Sequence, residues 1–155
     1  MIVPALLIAF ILLTNDNKGI GALSVSKFYP VYNNGKINKQ LRLKASGNQK
    51  GVYILKKGNE IKYIGYSGSN IYKTLTRHFQ SWEDSTQTRI TYSKNENIKA
   101  RIVYTSTATQ AAKLEKALIL KYKPTDNPNK YEQYNLNLTD DNLINNYQNE
   151  AEAPF

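Results

Sequence analysis

The chain has no cysteine, one histidine, one tryptophan and one methionine in 155 residues. Without cysteine there is no disulfide framework and no thiolate metal site. A single imidazole, His78, rules out the multi-histidine zinc centres as well. A metal bound here must be held by oxygen, which points to magnesium, manganese or calcium. Acids are scarce: 12 Asp and Glu stand against 21 Lys and Arg, a formal net charge of +9. Long apolar runs are scarce too. The one of note, Ile2 to Leu13, is 12 residues long and includes Pro4, whereas a membrane span takes about 20. It lacks the positive residues that open a secretory signal, and no clean small-x-small cleavage site follows it. Three readings stay open for it: a short membrane anchor, an atypical signal, or a buried helix.

The charge is uneven along the chain. Residues 1–50 hold seven Lys and Arg against one acid, residues 51–127 thirteen against six, and the remainder one against five. A basic body with an acidic end suits a polyanionic partner, nucleic acid or a membrane surface. It also suits a protein that is merely soluble and rich in lysine. The length fits one compact domain with extensions. We divide it into an apolar segment (1–23, the candidate anchor), a polar basic linker or arm (24–50), an organised domain (51–130), and an Asn-rich acidic tail (131–155), expected to be loosely ordered.

In the organised part, Gly51 to Leu55 and Ile61 to Gly65 read as two strands around a turn at Gly58. An odd-numbered loop centred on Gly58 sets Tyr53 directly opposite Tyr63, on one face with Leu55 and Ile61, and puts Val52, Ile54 and Ile64 on the other. A two-residue Gly-Asn turn would separate the tyrosines onto opposite faces. The odd loop is the expectation. Asn70 reads as the N-cap of a helix through "IYKTLTRHFQSW", with Ile71, Leu75 and Phe79 as its core stripe. "TRITY" and "KARIVYT" read as further strands. "TATQAAKLEKALILKYKP" has helical spacing of Ala111, Leu114, Ala117 and Leu118 and ends at Pro124, with Glu115 at the margin of the stripe. The order β-β-α-β-β-α makes an α+β fold, a small mainly antiparallel sheet flanked by helices.

These residues resemble a known family, the GIY-YIG nucleases. "GVY" (Gly51, Val52, Tyr53) is similar to its first signature and "YIG" (Tyr63, Ile64, Gly65) matches its second. "LEKALILKYKPTDN" resembles the family's acidic helix followed by Lys-Pro and an asparagine, with Glu115, Pro124 and Asn127 in register. The resemblance spans about 77 residues, half the chain. It implies an endonuclease that hydrolyses DNA phosphodiester bonds with one Mg²⁺ or Mn²⁺. It implies Glu115 as the metal ligand and Tyr53 and Tyr63 as catalytic, Tyr53 helping to deprotonate the attacking water. It also implies Asn127 in support of the site or its substrate. A tyrosine with its ordinary pKa of about 10 is a poor base at neutral pH, so a nearby group must assist it.

One departure stands out. The family carries an arginine on the first helix about ten residues past the second tyrosine. Here, counting from Tyr63 selects Lys73, counting back from His78-Phe79 selects Thr74, and an arginine arrives only at Arg77. The planar fork of Arg77 suits phosphate, so it is the expected clamp and fourth catalytic residue. Lys73 and His78 are expected substrate contacts. Without that arginine the same fold reads as a silent nucleic-acid-binding or structural component of a membrane-associated or viral assembly. A third reading is a basic protein on anionic lipid. The setting implied is membrane-associated, through Ile2 to Leu13, or cytoplasmic, with a phage or mobile element among the sources. Taken without the motifs, the tyrosines suit half-buried strand aromatics, Glu115 a solvated carboxylate, and His78 a structural hydrogen-bonder.

Overall fold

The computed structural model describes residues 23–45, 47–80, 91–127 and 138–152. The candidate anchor, Trp82 and the first residues of "TRITY" lie outside them. Among the described residues no helix is long and apolar enough to cross a membrane.

The centre is an antiparallel sheet. Strand β5 (Gly51–Lys57) lies between β6 (Glu60–Ser67) and β7 (Ile98–Tyr104), and two short strands, β1 (Ser24–Val25) and β2 (Tyr29–Pro30), pair with the far side of β7. Ser26 continues that pairing between them: its N–H donates to the carbonyl of Ile102 at 2.8 Å and its Oγ accepts from the Ile102 N–H at 2.9 Å. The segment expected to be a polar arm is therefore woven into the sheet. It also forms a hairpin, β3 (Tyr32–Asn33) and β4 (Lys36–Ile37), around Asn34-Gly35, the dipeptide that two-residue turns favour. Helix α1 (Lys39–Ala45) follows and buries Leu41 and Ala45, one turn apart. Two-residue strands are too short to leave an alternating pattern, which is why the segment reads as irregular. "TRITY" does not supply a strand at Thr91 and Tyr92. The far side of β7 is paired by β1 and β2.

Helix α2 (Ile71–Thr76) starts where expected, with the Asn70 Oδ1 accepting from the Lys73 N–H at 2.9 Å. It tightens into a 3₁₀ turn over Arg77–Phe79. Helix α3 (Ala108–Tyr122) is capped by Thr107 and closed by Lys123 in the left-handed region, just before Pro124. Helix α4 (Leu138–Glu152) occupies the tail expected to be loose. Leu143 and Tyr147 are buried with Leu114 and Leu118 of α3. Their spacing, one turn apart with Ala151 a further turn on, is helical. The asparagines between them, weak helix formers, mask it in the sequence.

The sheet thus separates two apolar layers. Tyr53, Leu55, Ala100 and Ile102 pack with Ile71, Leu75 and Phe79 on one face. Val52, Ile54, Ile64 and Val103 pack with α3 and α4 on the other.

Candidate active site

The β5–β6 hairpin decides whether a tyrosine pair exists, and it does so differently from expectation. Lys57 pairs with Glu60, so the turn has two residues, Gly58 and Asn59. Gly58 has φ +59°, which suits the first central position of a type II′ turn. Such a turn alone would have split the tyrosines. A bulge corrects this: Lys56 faces Ile61 while Leu55 faces Tyr63, leaving Lys62 unmatched. One extra residue flips the alternation of everything beyond it. Tyr53 then stands opposite Gly65 and Tyr63 opposite Leu55, so the tyrosines are diagonal neighbours on one face. Ile61, before the bulge, goes to the other layer.

The rings of Tyr53 and Tyr63 are stacked, with centres 6.2 Å apart at 21°. The room for this is made at Gly65. A Cβ there would collide with the hydroxyl and Cζ of Tyr53 and come within 2.9 Å of Tyr63 Cε1. The glycine of "YIG" is thus the floor on which the first tyrosine lies.

His78 completes the group from the 3₁₀ turn. Its Nε2 is 2.8 Å from the Tyr53 hydroxyl, and its ring centre is 4.5 Å from that of Tyr63. Tyr53 and His78 are each 2% exposed, whereas Tyr63 is half-buried. One turn before His78, and so on the same side of the helix, is Thr74. Its hydroxyl donates to Ser67 Oγ at 3.0 Å or to the Asn70 carbonyl at 3.0 Å. Ser67 also accepts from the Asn70 N–H at 3.0 Å, fixing the turn from β6 into α2. The helix position facing the tyrosines is thus held by a tied-down hydroxyl. Arg77, half-buried, and Lys73, exposed, flank it.

Asn127 is 5% exposed and its amide is fully engaged with one residue of β6. Its Oδ1 accepts from the Ile64 N–H at 2.9 Å and its Nδ2 donates to the Ile64 carbonyl at 2.8 Å. The Asp126 N–H donates to the carbonyl of Lys62, the bulge residue, at 2.8 Å. The loop acts as a strand would, holding β6 from outside. Expected as a substrate contact or support, Asn127 has the geometry of support.

Two residues that the sequence pattern does not single out join these parts. The Tyr92 N–H donates to the His78 carbonyl at 2.6 Å, and the Tyr92 hydroxyl donates to Asp126 Oδ2 at 2.8 Å. Burial, then the bond to Asp126 and its charge, push the Tyr92 phenol well above the ordinary tyrosine range. Tyr92 therefore clasps the His78 turn to the loop that carries Asn127. Its place inside the Pro-x-x-Asn signature, next to Asn127, is the hint the sequence offers of Asp126.

Glu115 comes from the other layer. Helix α3 lies over Ile54 and Ile64, with Ala108 against Gly68 just past β6. Seven residues on, within about 20° of the same side of the helix, Glu115 is half-buried along the flank that follows β6. Among the described residues no group of three or more His, Asp and Glu could hold a metal. The donor set still fits Mg²⁺ or Mn²⁺, because a hydrated hard ion takes one or two carboxylates and completes its shell with water and substrate oxygens. His78 Nε2, committed to Tyr53, is not needed for it.

A family model described as the GIY-YIG catalytic domain matches residues 49–132. Searches of curated proteins and of solved structures gave no match.

Proposed function

The chain belongs to the GIY-YIG catalytic-domain family, and on that footing we propose that it is a metal-dependent endonuclease that hydrolyses DNA phosphodiester bonds. The observation that carries the reading is the buried bond between Tyr53 and His78. A phenol with pKa about 10 is a weak base, but a phenol that hands its own proton to an imidazole need not become a free phenolate. In the tautomer with Nε2 unprotonated, Tyr53 takes a proton from the attacking water while its own passes to His78. Tyr63, half-buried over the same imidazole, orients the water or phosphate oxygen. Arg77, with Lys73 beside it, neutralises the phosphate as the pentavalent charge develops. Glu115 would hold the Mg²⁺ or Mn²⁺ ion, which when bound supplies charge neutralisation at the scissile phosphate and acidifies bound water. Asn127 and Tyr92 act as positioning residues through Ile64 and His78.

A plasmid-nicking assay with Mg²⁺ tests this. Wild type converts supercoiled to nicked or linear DNA, and Glu115→Ala abolishes the conversion. Absence of cleavage with every divalent metal and DNA form tried would sink the nuclease reading. A second reading, a fold kept for binding alone, is favoured by Thr74, a bonded hydroxyl where the family's arginine falls by one count. It predicts salt-sensitive DNA binding without cutting. Membrane attachment through Ile2 to Leu13 is proposed separately; fractionation of the full chain beside one starting at Gly21 decides it.

A further inference from the structure

On the face turned away from the tyrosines, the sheet carries three cations near the Gly58 turn. Lys56 of β5 and Lys99 of β7 are directly opposed, and Arg101 stands one side-chain repeat along, opposite Ile54. Like charges directly opposed on a sheet repel. Among the described residues no carboxylate forms an ion pair with any of them; the ion pairs there involve Lys57 and Lys62. Phe28 of the arm gathers two of the three: Lys56 Nζ is 4.0 Å and Arg101 Cζ 4.3 Å from its ring centre. Cation–π contacts of this kind are weak beside the repulsion of adjacent like charges. Arg101 donates one long bond, 3.4 Å, to the Tyr147 hydroxyl, and its Nε is buried without a hydrogen-bond partner. Burial, then the charges of Lys99 and Arg101, pushes the Lys56 amine below the ordinary lysine range. The cluster is thus a local excess of positive charge that carboxylates among the described residues leave unpaired, with Phe28 between Lys56 and Arg101.

We propose that Lys56, Lys99 and Arg101 form a second phosphodiester-binding site, on the sheet face opposite the tyrosines, for nucleic-acid backbone that does not enter the active site. It rests on the proposed nuclease only in taking nucleic acid as the polyanion. A membrane surface fits less well. Membrane-binding faces combine cations with apolar side chains that enter the lipid, and the large apolar side chains exposed among the described residues are Leu43, Tyr66 and Tyr122. These sit on α1, on β6 and at the end of α3, not on β5, β7 or the Phe28 segment. The acid-free stretch from Asn17 to Asn59, with nine Lys and Arg, supplies both Phe28 and Lys56.

The test is equilibrium binding of the full chain to a short fluorescein-labelled DNA duplex, in EDTA, over a range of salt. Lys56→Gln with Lys99→Gln should weaken binding and flatten the log K against log salt slope by about two, roughly 0.9 for each phosphate no longer neutralised. Lys99→Gln alone, an exposed position, should flatten it by about half as much with an unchanged melting temperature. The charge-matched pair Lys36→Gln with Lys113→Gln should leave the slope near wild type. Equal losses in both pairs would overturn the site and leave only net charge. So would phosphatidylserine vesicle binding that Lys56→Gln/Lys99→Gln removes while DNA binding persists. Because binding is read without metal, a chain that binds but does not cut sinks the nuclease reading and spares this one. A wild type that does not bind DNA sinks this one.

Discussion

The Tyr53 hydroxyl and His78 Nε2 meet at 2.8 Å, both buried, from a strand and a helical turn 25 residues apart. Tyr53→Phe removes one atom and with it the buried bond between that hydroxyl and the imidazole. Cleavage should fall by about 10²- to 10⁴-fold, the range for loss of a proton-transfer partner, while stability falls by about 1–3 kcal/mol. Single-turnover cleavage and a urea melt on the same preparation check both. An unchanged rate beside a lowered melt would make the bond purely structural.

Gly65→Ala asks whether the tyrosine pair depends on the bare backbone beneath it. The added methyl would meet the Tyr53 hydroxyl and Cζ, so the ring must lift away from His78. We expect a cost of about 1–3 kcal/mol, the usual range for overpacking, with activity lost while far-ultraviolet circular dichroism is kept. A crystal structure of the variant with Tyr53 undisplaced would refute the account.

Asn127→Ala leaves the N–H and carbonyl of Ile64 without the two bonds they now have. Unsatisfied buried groups cost about 1–3 kcal/mol each, so a loss of about 2–4 kcal/mol is expected by chemical denaturation. Protection of the Ile64 amide from hydrogen exchange should drop with it. A change confined to DNA affinity would return Asn127 to the substrate contacts.

Alkaline titration reports on three phenols. Tyr92, Tyr32 and Tyr104 are all raised, chiefly by burial, with Asp126, Tyr72 and Tyr29 respectively adding to it. A raised folded value means the native state holds the proton more tightly. The stability it contributes is complete below the ordinary phenol range, about 10, and is lost as pH climbs through the folded values. Absorbance near 295 nm should therefore show these three phenols resisting ionisation above the ordinary phenol range. Tyr92→Phe should lower by one the number that resist.

The motifs were legible because each is local. Two tripeptides, a helix stripe and a Pro-x-x-Asn spacing survive without knowledge of the fold. The tyrosine pairing shows the limit. Counting loop residues led to a facing pair, and the sheet instead gives a diagonal one through a two-residue turn and a bulge at Lys62. No periodicity announces a bulge, because one extra residue leaves the alternation on either side of it intact. Tyr92 and Asp126 escaped for a related reason: their bond spans 34 residues. The acidic tail was misread because its apolar residues are sparse among asparagines, and only the layer formed by Leu114 and Leu118 shows what they cover.

The two short strands ahead of the signature region have a practical consequence. A chain cut to begin at Gly51, as the motif boundaries invite, would lose Ser24 to Pro30 and bare the outer rim of β7 from Lys99 to Tyr104. An uncovered row of N–H and carbonyl groups is an invitation to pair with another molecule. Such a fragment should stick to itself, and its inactivity in a cleavage assay would speak of aggregation before it spoke of chemistry.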